Sequence, residues 1–491
     1  MKLLFAYYRY SPHSNGPSIY IDTLRKMLQD KGHTVDLLSH DKDWLNIQIA
    51  NHQKINKYKI KNTLIDRFQT SYSTKYPLWI FWREMERLSL EKAIKQLDLN
   101  EYDLIHCHDF MTARAIALSK PSHTPLIVSL HNFKYHESKI TKEFYAKSRQ
   151  EQQYIETEEY VGAMSGDFVA VPCDWLKKQL IKIGVPPLNI KVIPYGMIQE
   201  PFKTSKISKT GEDKKRILCP ARLVPIKGHR YLLKALWKLS SEREDFHCLL
   251  AGEGPDRTVL QQLANTLGIS SIISFLGKRN DIPHLMNKSD IIVLPSLHDT
   301  FPLAILEGQF STKPVIATNV GGIKEIITDG ADGLIVPSAD SEALAEKLRY
   351  LLDHNSICSQ IGKQALRKAI KYWDIDRHIK SIEKLYQQTQ TKTRSVQDKQ
   401  HIEREILSQF KTIKSVEPGF TLSGEIHEEL RKELTNQQHY IHLYDQSGVL
   451  LQTKPVDPNG SYKFQLLPAG RYVLKSTLEK FGNATKSVGP S

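Results

Sequence analysis

Long apolar stretches, a targeting leader and clustered cysteines are all missing from this 491-residue sequence. No run approaches the ~20 apolar residues that span a bilayer as a helix. The N-terminus has only a short apolar run before Arg9 and lacks the longer apolar region and cleavage site of a signal peptide. It therefore indicates a buried first strand, and we expect a cytoplasmic protein. The five cysteines are scattered without a CxxC pair, which favours small buried hydrophobic side chains over a metal site.

The charge balance is strongly basic. The chain carries 68 Lys and Arg against 54 Asp and Glu, for a formal net charge of +14. This excess suits anionic partners, such as substrate phosphates, an anionic membrane surface or nucleic acid, and does not choose among them. A solvated basic surface is the simplest alternative. The length exceeds one ordinary core, so two or three domains are expected.

Short, nearly all-apolar segments alternate with helical stretches over the first ~200 residues, and the same alternation resumes at residue 215. Predicted strands in the first half are residues 3–8, 34–38, 104–107, 126–130, 168–171 and 192–193. Those in the second half are residues 217–220, 248–251, 272–275, 291–294, 315–317 and 334–336. Such a pattern is typical of parallel sheets covered on both faces by helices.

The fold class is therefore α/β, with two doubly wound, Rossmann-like domains in tandem at residues 1–200 and 215–388. The polar segment 203–215 is a predicted interdomain linker. Ligands of these sheets bind outside the carboxyl ends of the strands, so we expect the site in the cleft between the two halves. Residues 52–76 are rich in Lys, Asn and Tyr and give no clear assignment.

The last ~75 residues change character. Residues 389–417 are polar and charged, as in a linker, and residues 418–491 alternate apolar with polar positions. Four antiparallel strands are predicted there, at residues 439–444, 450–454, 462–466 and 472–476. Turn signals separate them at residues 457–460 (Asp-Pro-Asn-Gly) and 468–470 (Pro-Ala-Gly). This pattern predicts a small all-β sandwich.

Two loops in the second half carry residues suited to chemistry. Residues 221–228 follow a strand and place Arg222 and Lys227 beside a helix start, where two cations and free N–H groups suit a diphosphate. Residues 295–308 contain Asp299 and Thr300 before a helix that opens near Pro302, a residue suited to a first turn. The alternatives are that the two cations are surface residues and that Asp299 and Thr300 only cap the helix.

Glu307 is harder to explain structurally. It lies one to two turns into a mostly apolar helix, where an unpaired carboxylate is costly. A ribose cis-diol would satisfy it with two hydrogen bonds.

The order of these segments resembles the large retaining glycosyltransferase family four, which has the GT-B architecture of two Rossmann-like domains. The matching segments are residues 221–228, 251–255 (Ala-Gly-Glu-Gly-Pro), 275–277 (Phe-Leu-Gly), 289–290 (Ser-Asp), 295–307, 314–318 (Pro-Val-Ile-Ala-Thr) and 321–325 (Gly-Gly-Ile-Lys-Glu). The resemblance covers about residues 1–388 and is stronger in the second half.

This resemblance implies roles for individual residues. Arg222 and Lys227 would hold the donor diphosphate, Glu307 the ribose hydroxyls and Asp299 the transferred sugar. Thr300 belongs to the same donor-binding stretch. Backbone N–H groups of Phe301 and Leu303 would lie near the phosphates, and the backbone of Gly277 and Lys278 near the base. His131, at the end of a predicted strand, would face the donor sugar beside the reacting carbon, with a buried structural histidine as the alternative.

Two positions depart from the family pattern. Asp299 stands where the family has glutamate, which shortens the side chain by one methylene. This leaves open altered sugar preference or donor affinity, or a weakly active or inactive protein. Of the family's glycine pair in the N-terminal loop only Gly16 is present, beside Asn15, a residue that tolerates positive φ.

The resemblance implies a retaining hexosyltransferase that uses a nucleotide-diphosphate sugar and no cofactor or metal, since no DxD-like site lies where one is needed. A glycan, lipid-linked or small-molecule acceptor is expected, and no nucleic acid. A non-catalytic nucleotide-sugar-binding subunit and a nucleotide-sugar epimerase are the alternatives. A phosphorylase would need a pyridoxal-phosphate lysine, and none stands out.

Three further features of the sequence allow more than one interpretation. His106 and His108 share one strand face and form a conceivable metal pair, although a structural or acceptor-cleft role is favoured. The basic tract 51–67, followed by residues 79–82 (Trp-Ile-Phe-Trp), either contacts an anionic membrane or is a buried aromatic helix start, which we prefer. The tail resembles carboxypeptidase-regulatory-like and collagen-adhesin B-type sandwiches, which implies contacts with protein or glycan, or a spacer.

Overall fold

The computed structural model describes residues 1–10, 16–49, 53–71, 77–203, 214–390, 420–425, 440–444, 450–457, 461–467, 470–476 and 484–488. The chain divides into two compact units, residues 1–128, 147–167 and 392–491 in the first and residues 129–146 and 168–391 in the second. Most of the predicted linker 203–215 and of the linker 389–417 lies outside the described residues. The predicted domain limits stay a prediction.

The first sheet has eight strands, built from the short apolar segments that the sequence indicates. They are Lys2–Tyr10 (β1), Thr34–His40 (β2), Ile47–Ile49 (β3), Lys54–Ile55 (β4), Leu104–Cys107 (β5), Leu126–Ser129 (β6), Phe168–Val171 (β7) and Ile190–Val192 (β8). Their order is β4-β3-β2-β1-β5-β6-β7-β8. The pairs β1–β2, β1–β5, β5–β6 and β7–β8 are parallel, and β2–β3 and β3–β4 are antiparallel.

Seven helices alternate with these strands. They are Gly16–Asp30 (α1), Lys57–Ser71 (α2), Leu78–Ile94 (α3), Phe110–Ala117 (α4), Lys134–Ile140 (α5), Arg149–Met164 (α6) and Asp174–Lys182 (α7). Helix α2 occupies the tract that the sequence left unassigned. Short 3₁₀ turns lie at Phe144–Ala146, Pro187–Asn189 and Glu200–Phe202.

The second sheet has six strands. They are Lys215–Pro220 (β9), Phe246–Ala251 (β10), Ile273–Gly277 (β11), Ile291–Leu294 (β12), Val315–Thr318 (β13) and Leu334–Val336 (β14). Their order is β11-β10-β9-β12-β13-β14, and every neighbouring pair is parallel. Strands β10 and β11 are added on one side of β9, and strands β12, β13 and β14 on its other side. The direction in which successive strands are added therefore reverses between β9 and β12.

Eight helices accompany this sheet. They are His229–Ser240 (α8), Arg257–Thr266 (α9), Ile282–Lys288 (α10), Leu303–Phe310 (α11), Ile323–Ile326 (α12), Ser341–Asp353 (α13), Asn355–Tyr372 (α14) and Ile375–Gln390 (α15). A 3₁₀ turn at Pro225–Lys227 precedes α8, and another lies at Ser270–Ile272.

The core of the second sheet explains why these segments form strands and helices. All four residues of β12 and of β13 are buried, as expected where helices cover both faces of a parallel sheet. Helix α8 buries Leu232, Leu236 and Leu239 along one stripe at helical spacing. Full burial of each such side chain contributes about 1.5–3 kcal/mol. The strand ends are therefore held rigidly, which fixes the loops that follow them.

The tail contains six described strands in two antiparallel sheets. They are Phe420–Glu425 (β15), Tyr440–Tyr444 (β16), Leu450–Pro455 (β17), Ser461–Leu467 (β18), Gly470–Ser476 (β19) and Ala484–Val488 (β20). One sheet pairs β15 with β18, and the other has the order β17-β16-β19-β20. Most of the two predicted turns, residues 458–460 and 468–469, lies outside the described residues. The β-sandwich stays a prediction.

The basic tract before α3 does not present all of its charge to solvent. Lys57 and Lys61 are buried and both bind the carboxylate of Glu86. Residues 80–82 are also buried, in agreement with the preferred interpretation of an aromatic helix start. Asn51 and His52 lie outside the described residues. Within the described ranges, every helix is too short or too polar to cross a bilayer.

Candidate active site

The two loops that the sequence singles out are neighbours at the carboxyl edge of the second sheet. Residues 221–228 follow β9, residues 295–302 follow β12, and these strands lie side by side where the strand order reverses. The backbone N–H of Leu297 donates to the carbonyl of Ile226 at 2.8 Å. Ligands of open α/β sheets bind at such a switch point. The topology therefore places both loops where a ligand is expected.

Gly228 allows the two loops to approach this closely. Its φ is +69°, and a Cβ at this position would lie 1.9 Å from the carbonyl oxygen of Pro295. Any other residue would be strained and would force the loops apart. The glycine thus fixes the spacing between the loop of Lys227 and the loop of Asp299.

Lys227 and Asp299 form an ion pair in this structure. The Lys227 Nζ lies 2.5 Å from Asp299 Oδ2, and the Ser296 hydroxyl donates to the same oxygen at 3.2 Å. Both charged side chains keep some exposure, 18% and 14%. Asp299 therefore does not cap α11, which has Pro302 at its N-cap and no side-chain capping bond. Arg222, on the same loop as Lys227, is exposed.

Helix α11 begins at Leu303, one residue later than the predicted start. Its first N–H groups have no acceptor within the helix, as at any helix N-terminus. Thr300 is buried, and its hydroxyl oxygen has no hydrogen-bond partner in the described part of the chain. Phe301 is also buried. The loop thus places a hydroxyl without a partner among the described residues three positions before the first residue of the helix.

Glu307 lies in the second turn of α11 without an ionic partner. Among the described residues none donates a hydrogen bond to its carboxylate. Burial alone raises the pKa of Glu307 from 4.5 to about 7. Glu307 is half-buried, and a partly desolvated carboxylate without a partner is unfavourable, so a ligand with hydroxyl donors would complement it.

Gly277 is the last residue of β11 and Lys278 follows it, at the far side of the same edge. Gly277 forms an isolated bridge with Gly252, and Lys278 is exposed. The segment of Gly252 also supports the cationic loop, because a Cβ on Gly252 would lie 2.0 Å from the carbonyl oxygen of Ala221. The sequence showed residues 251–255 only as a family match, and their close packing under the loop of Arg222 emerges from the tertiary structure.

His131 is hydrogen-bonded to Tyr195, a residue that the sequence did not single out. Its Nδ1 lies 2.6 Å from the hydroxyl of Tyr195, and burial lowers the pKa of His131 to about 3, so its imidazole is neutral. The Tyr195 ring packs edge-on against Phe301 at 5.5 Å between centroids. Tyr195 stands in a Pro-Tyr-Gly segment shortly after β8, and this segment contains no recognised chemical motif.

Glu325 is a second residue whose role the sequence left open. Its carboxylate accepts hydrogen bonds from the backbone N–H groups of Asp174 and Trp175, both at 2.7 Å, at the start of α7. Nearby, Gly322 N–H donates to the carbonyl of Thr300, and the Cys173 thiol contacts that same oxygen. The segment 321–325 therefore packs against the loop of Asp299 and Thr300.

The remaining predicted residues lie in the first unit. Gly16 is the first residue of α1, and its neighbours at 14 and 15 lie outside the described residues. His106 and His108 are buried with ring centroids 4.2 Å apart, and both pack against Phe5. No group of three His, Cys, Asp or Glu in the described ranges is arranged to hold a metal ion.

Comparisons with known proteins agree on the class. The model of "Glycosyltransferase Family 4" matches residues 14–198, and that of "Glycosyl transferases group 1" matches residues 202–368. An uncharacterized glycosyltransferase of Methanocaldococcus jannaschii is 26% identical over 360 residues, covering 70% of this chain and 87% of that protein. An Escherichia coli galactosyltransferase acting on GlcNAc-diphosphoundecaprenol is 25% identical over 313 residues, covering 61% and 78%.

Solved structures show the same fold. Anabaena HepE, crystallised with UDP, superposes with a TM-score of 0.60 at 22% identity and covers 79% of this chain and 100% of its own. Sucrose-phosphate synthase of Thermosynechococcus elongatus gives a TM-score of 0.65 at 18% identity, covering 79% and 98%. With two Rossmann-like domains and one family model on each, the chain is a glycosyltransferase of the GT-B fold, of the group 1 and family 4 type.

Proposed function

We propose that this protein transfers a hexose-type sugar from a nucleotide-diphosphate sugar to an acceptor, with retention at the anomeric carbon and without a metal ion. The observation that carries the proposal is the arrangement at the switch point of the second sheet. There Lys227 pairs with Asp299, and the half-buried Glu307 has no ionic partner among the described residues. A cation, a sugar-binding carboxylate and a ribose-binding carboxylate are the groups that a nucleotide-sugar donor needs.

The comparisons support the donor class. HepE has been crystallised with UDP, with UDP and glucose, and with UDP-glucose. The galactosyltransferase of Escherichia coli uses UDP-Gal. Because this chain is similar to both, we propose a nucleoside-diphosphate sugar for it as well, with the base and the hexose to be identified by experiment.

The leaving diphosphate would be stabilised by fixed positive charge. As the bond to the anomeric carbon breaks, negative charge grows on the departing phosphate, and Arg222, Lys227 and the first N–H groups of α11 would stabilise it. Lys227 would then exchange its contact with Asp299 for one with phosphate. This exchange frees the Asp299 carboxylate to accept hydrogen bonds from sugar hydroxyls.

Glu307 would hold the ribose. Its pKa of about 7 reflects a carboxylate without donors, and two ribose hydroxyls would supply them. Binding of the nucleotide should therefore favour the ionised carboxylate. The backbone of Gly277 and Lys278 would contact the base, and neutral His131, fixed by Tyr195, would face the donor sugar.

The acceptor class, the location and the tail stay predictions. A glycan, a lipid-linked sugar or a small molecule is the expected acceptor, at the cytoplasmic side of a membrane, with a peripheral membrane contact in the lipid-linked case. For the tail we propose contacts with protein or glycan, or a spacer. Loss of partner retention by a chain ending near Gln388 would favour contacts.

The experiment that tests the proposal measures both nucleotide binding and sugar transfer. Purified protein is screened by thermal shift against nucleoside diphosphates without metal, and the matching radiolabelled nucleotide sugars are then incubated with an acceptor panel. Selective stabilisation by one nucleotide, lost in Glu307→Ala and Lys227→Ala, together with labelled product of retained configuration, supports the proposal.

Three other outcomes would contradict it. Nucleotide binding without turnover on any acceptor would favour the non-catalytic subunit. Isomerisation or hydrolysis of the nucleotide sugar without acceptor would favour an epimerase. A protein that no nucleotide stabilises would remove the basis of the donor site.

A further inference from the structure

Three aromatic rings of the second unit form a cluster beside the proposed donor site. His136 lies on α5, Trp175 at the start of α7 and His298 in the loop after β12. The ring centroids are 4.8 Å apart for the two histidines, 5.2 Å for Trp175 and His298, and 5.3 Å for His136 and Trp175. The proposed donor chemistry uses none of these three side chains.

The imidazoles of this cluster have unsatisfied hydrogen-bonding atoms. Both ring nitrogens of His298, a residue only 5% exposed, and Nδ1 of His136 are buried without a hydrogen-bond partner among the described residues. A buried polar atom left without a partner is destabilising. Buried polar groups in native proteins are nearly always satisfied, so these atoms are candidates for contact with a ligand.

The protonation states of the two imidazoles limit which ligands they can bind. Burial, with His136 close by, lowers the pKa of His298 to about 4. Burial and the nearby Lys139 and Lys182 also lower the pKa of His136. At neutral pH each imidazole therefore presents one N–H donor and one acceptor nitrogen. Hydroxyl groups donate and accept in the same way, whereas a phosphate offers acceptors only.

Trp175 adds an apolar surface beside the two polar imidazoles. Its indole is half-buried and contributes a flat apolar face with one N–H donor at the edge. A hexopyranose combines a ring face of C–H groups with an edge of hydroxyls, so it matches an indole face beside two neutral imidazoles. A metal ion is a poorer match, since the described residues around this cluster offer no third ligand.

The cluster is fixed next to the donor-binding loop. His298 directly precedes Asp299, the partner of Lys227, and the backbone N–H of Trp175 is held by Glu325 at 2.7 Å. A sugar bound by the three rings would thus lie beside the sugar that Asp299 is proposed to bind.

We propose that His136, Trp175 and His298 bind a sugar ring of the acceptor, so that the acceptor is a glycan. This inference rests on the proposed function, because it is the donor site that makes the neighbouring sugar an acceptor. The transferred sugar of the donor has the same chemistry and is the other source to be distinguished.

The test uses the full-length protein with the nucleoside diphosphate that stabilises it, applied to a printed oligosaccharide array. The glycan with the strongest signal is then titrated calorimetrically into wild type, His136→Ala and Trp175→Ala. Tyr145→Ala is the matched control, because Tyr145 is an aromatic residue of the same unit and is 68% exposed. His136→Gln is a second variant that keeps hydrogen-bonding capacity.

We expect at least a tenfold loss of glycan affinity in His136→Ala and Trp175→Ala, a smaller loss in His136→Gln and no change in Tyr145→Ala. Stabilisation by the nucleotide should be unchanged in all four, which also shows that they are folded. Wild-type protein that binds nucleotide but no glycan, or variants with unaltered glycan affinity, would overturn the inference. Weaker binding of the nucleotide sugar with unaltered glycan affinity would also overturn it, by assigning the rings to the donor.

Failure of the proposed function has a different signature. In that case no nucleotide stabilises the wild-type protein, whereas glycan binding that is lost in His136→Ala would still support a sugar subsite.

Discussion

Lys227 and Asp299 are 72 positions apart in sequence and form a 2.5 Å ion pair between the loops that follow two adjacent strands. The pair joins the residue proposed to bind the donor diphosphate to the residue proposed to bind the sugar. Both side chains are partly exposed, so the pair itself contributes little to stability, about 0–1 kcal/mol. Its value would lie in holding two ligand-binding groups in place before the donor arrives.

Lys227→Met is expected to weaken binding of the stabilising nucleoside diphosphate about 10- to 100-fold, because a charge-assisted hydrogen bond contributes about 1.5–3 kcal/mol. The melting temperature without nucleotide should change little. Lys234→Met, at an exposed lysine of α8, is the control and should bind like wild type. Calorimetric titration measures both. Equal affinities of the two variants would show that Lys227 does not contact the diphosphate.

Glu307→Gln is expected to change how stability depends on pH. The folded protein binds a proton at Glu307 below about pH 7, whereas the unfolded chain does so only below its ordinary pKa of 4.5. Wild-type stability therefore falls as pH rises from about 4.5 to 7, by roughly 3 kcal/mol from this group. The variant lacks this decrease, so its free energy of unfolding relative to wild type should increase between pH 5 and pH 8.

Urea denaturation at pH 5, 6, 7 and 8 tests this difference, and Glu346→Gln on the exposed face of α13 is the matched control. Other groups titrate equally in both proteins and cancel in the comparison. The same Glu307→Gln variant should lose nucleotide affinity. A pH-independent stability difference would mean that Glu307 is ionised and satisfied in the folded protein.

Gly228→Ala is expected to be strongly destabilising, by more than about 3 kcal/mol, because the new Cβ would lie 1.9 Å from the Pro295 carbonyl oxygen. Gly268→Ala is a close control, since Gly268 has the same φ of +69° but nothing within 4 Å of the added atom. It should cost only about 1–2 kcal/mol of backbone strain. Denaturant unfolding of both variants separates the steric effect from the dihedral one, and similar losses would contradict the close approach of the loops.

Glu325→Ala is expected to free the first turn of α7. The backbone N–H groups of Asp174 and Trp175 would lose their acceptor, with a loss of about 0.5–2 kcal/mol in stability, as for other helix caps. Hydrogen exchange should accelerate at these two amides. Glu346→Ala serves as the control. Unchanged protection at residues 174 and 175 would show that water replaces the carboxylate without consequence.

Much of the fold could be read from the sequence because it depends on local patterns. Each of the six strands predicted in the second half overlaps one observed strand, since short apolar segments between helices are buried on both faces. The antiparallel strands β3 and β4 and helix α2 were not predicted. Strand β3 has only three residues, and the sequence of β4 and α2 is rich in lysine. Tertiary contacts, such as the pairing of Lys57 and Lys61 with Glu86, hold α2 in place.

The residues of the candidate site also fall into those that the sequence identified and those that only the structure revealed. The sequence singled out Glu307 as a carboxylate within an apolar helix and Arg222 and Lys227 as two cations on a loop after a strand. The family resemblance gave Asp299 its role. The sequence missed Tyr195, Glu325 and the ring cluster of His136, Trp175 and His298. These aromatic and acidic residues each stand alone in their segments and form no periodic pattern, and their partners lie far away in sequence.

The sequence by itself thus determined the class of the protein, two α/β sheets with cations and carboxylates at the carboxyl ends of their strands, because burial and helix periodicity are encoded locally. Only the tertiary structure decided which of these groups meet. The ion pair of Lys227 with Asp299 depends on β9 and β12 being adjacent. The absence of a partner for Glu307 among the described residues depends on how α11 is packed, and packing raises its pKa. Both are non-local consequences of sheet order and burial.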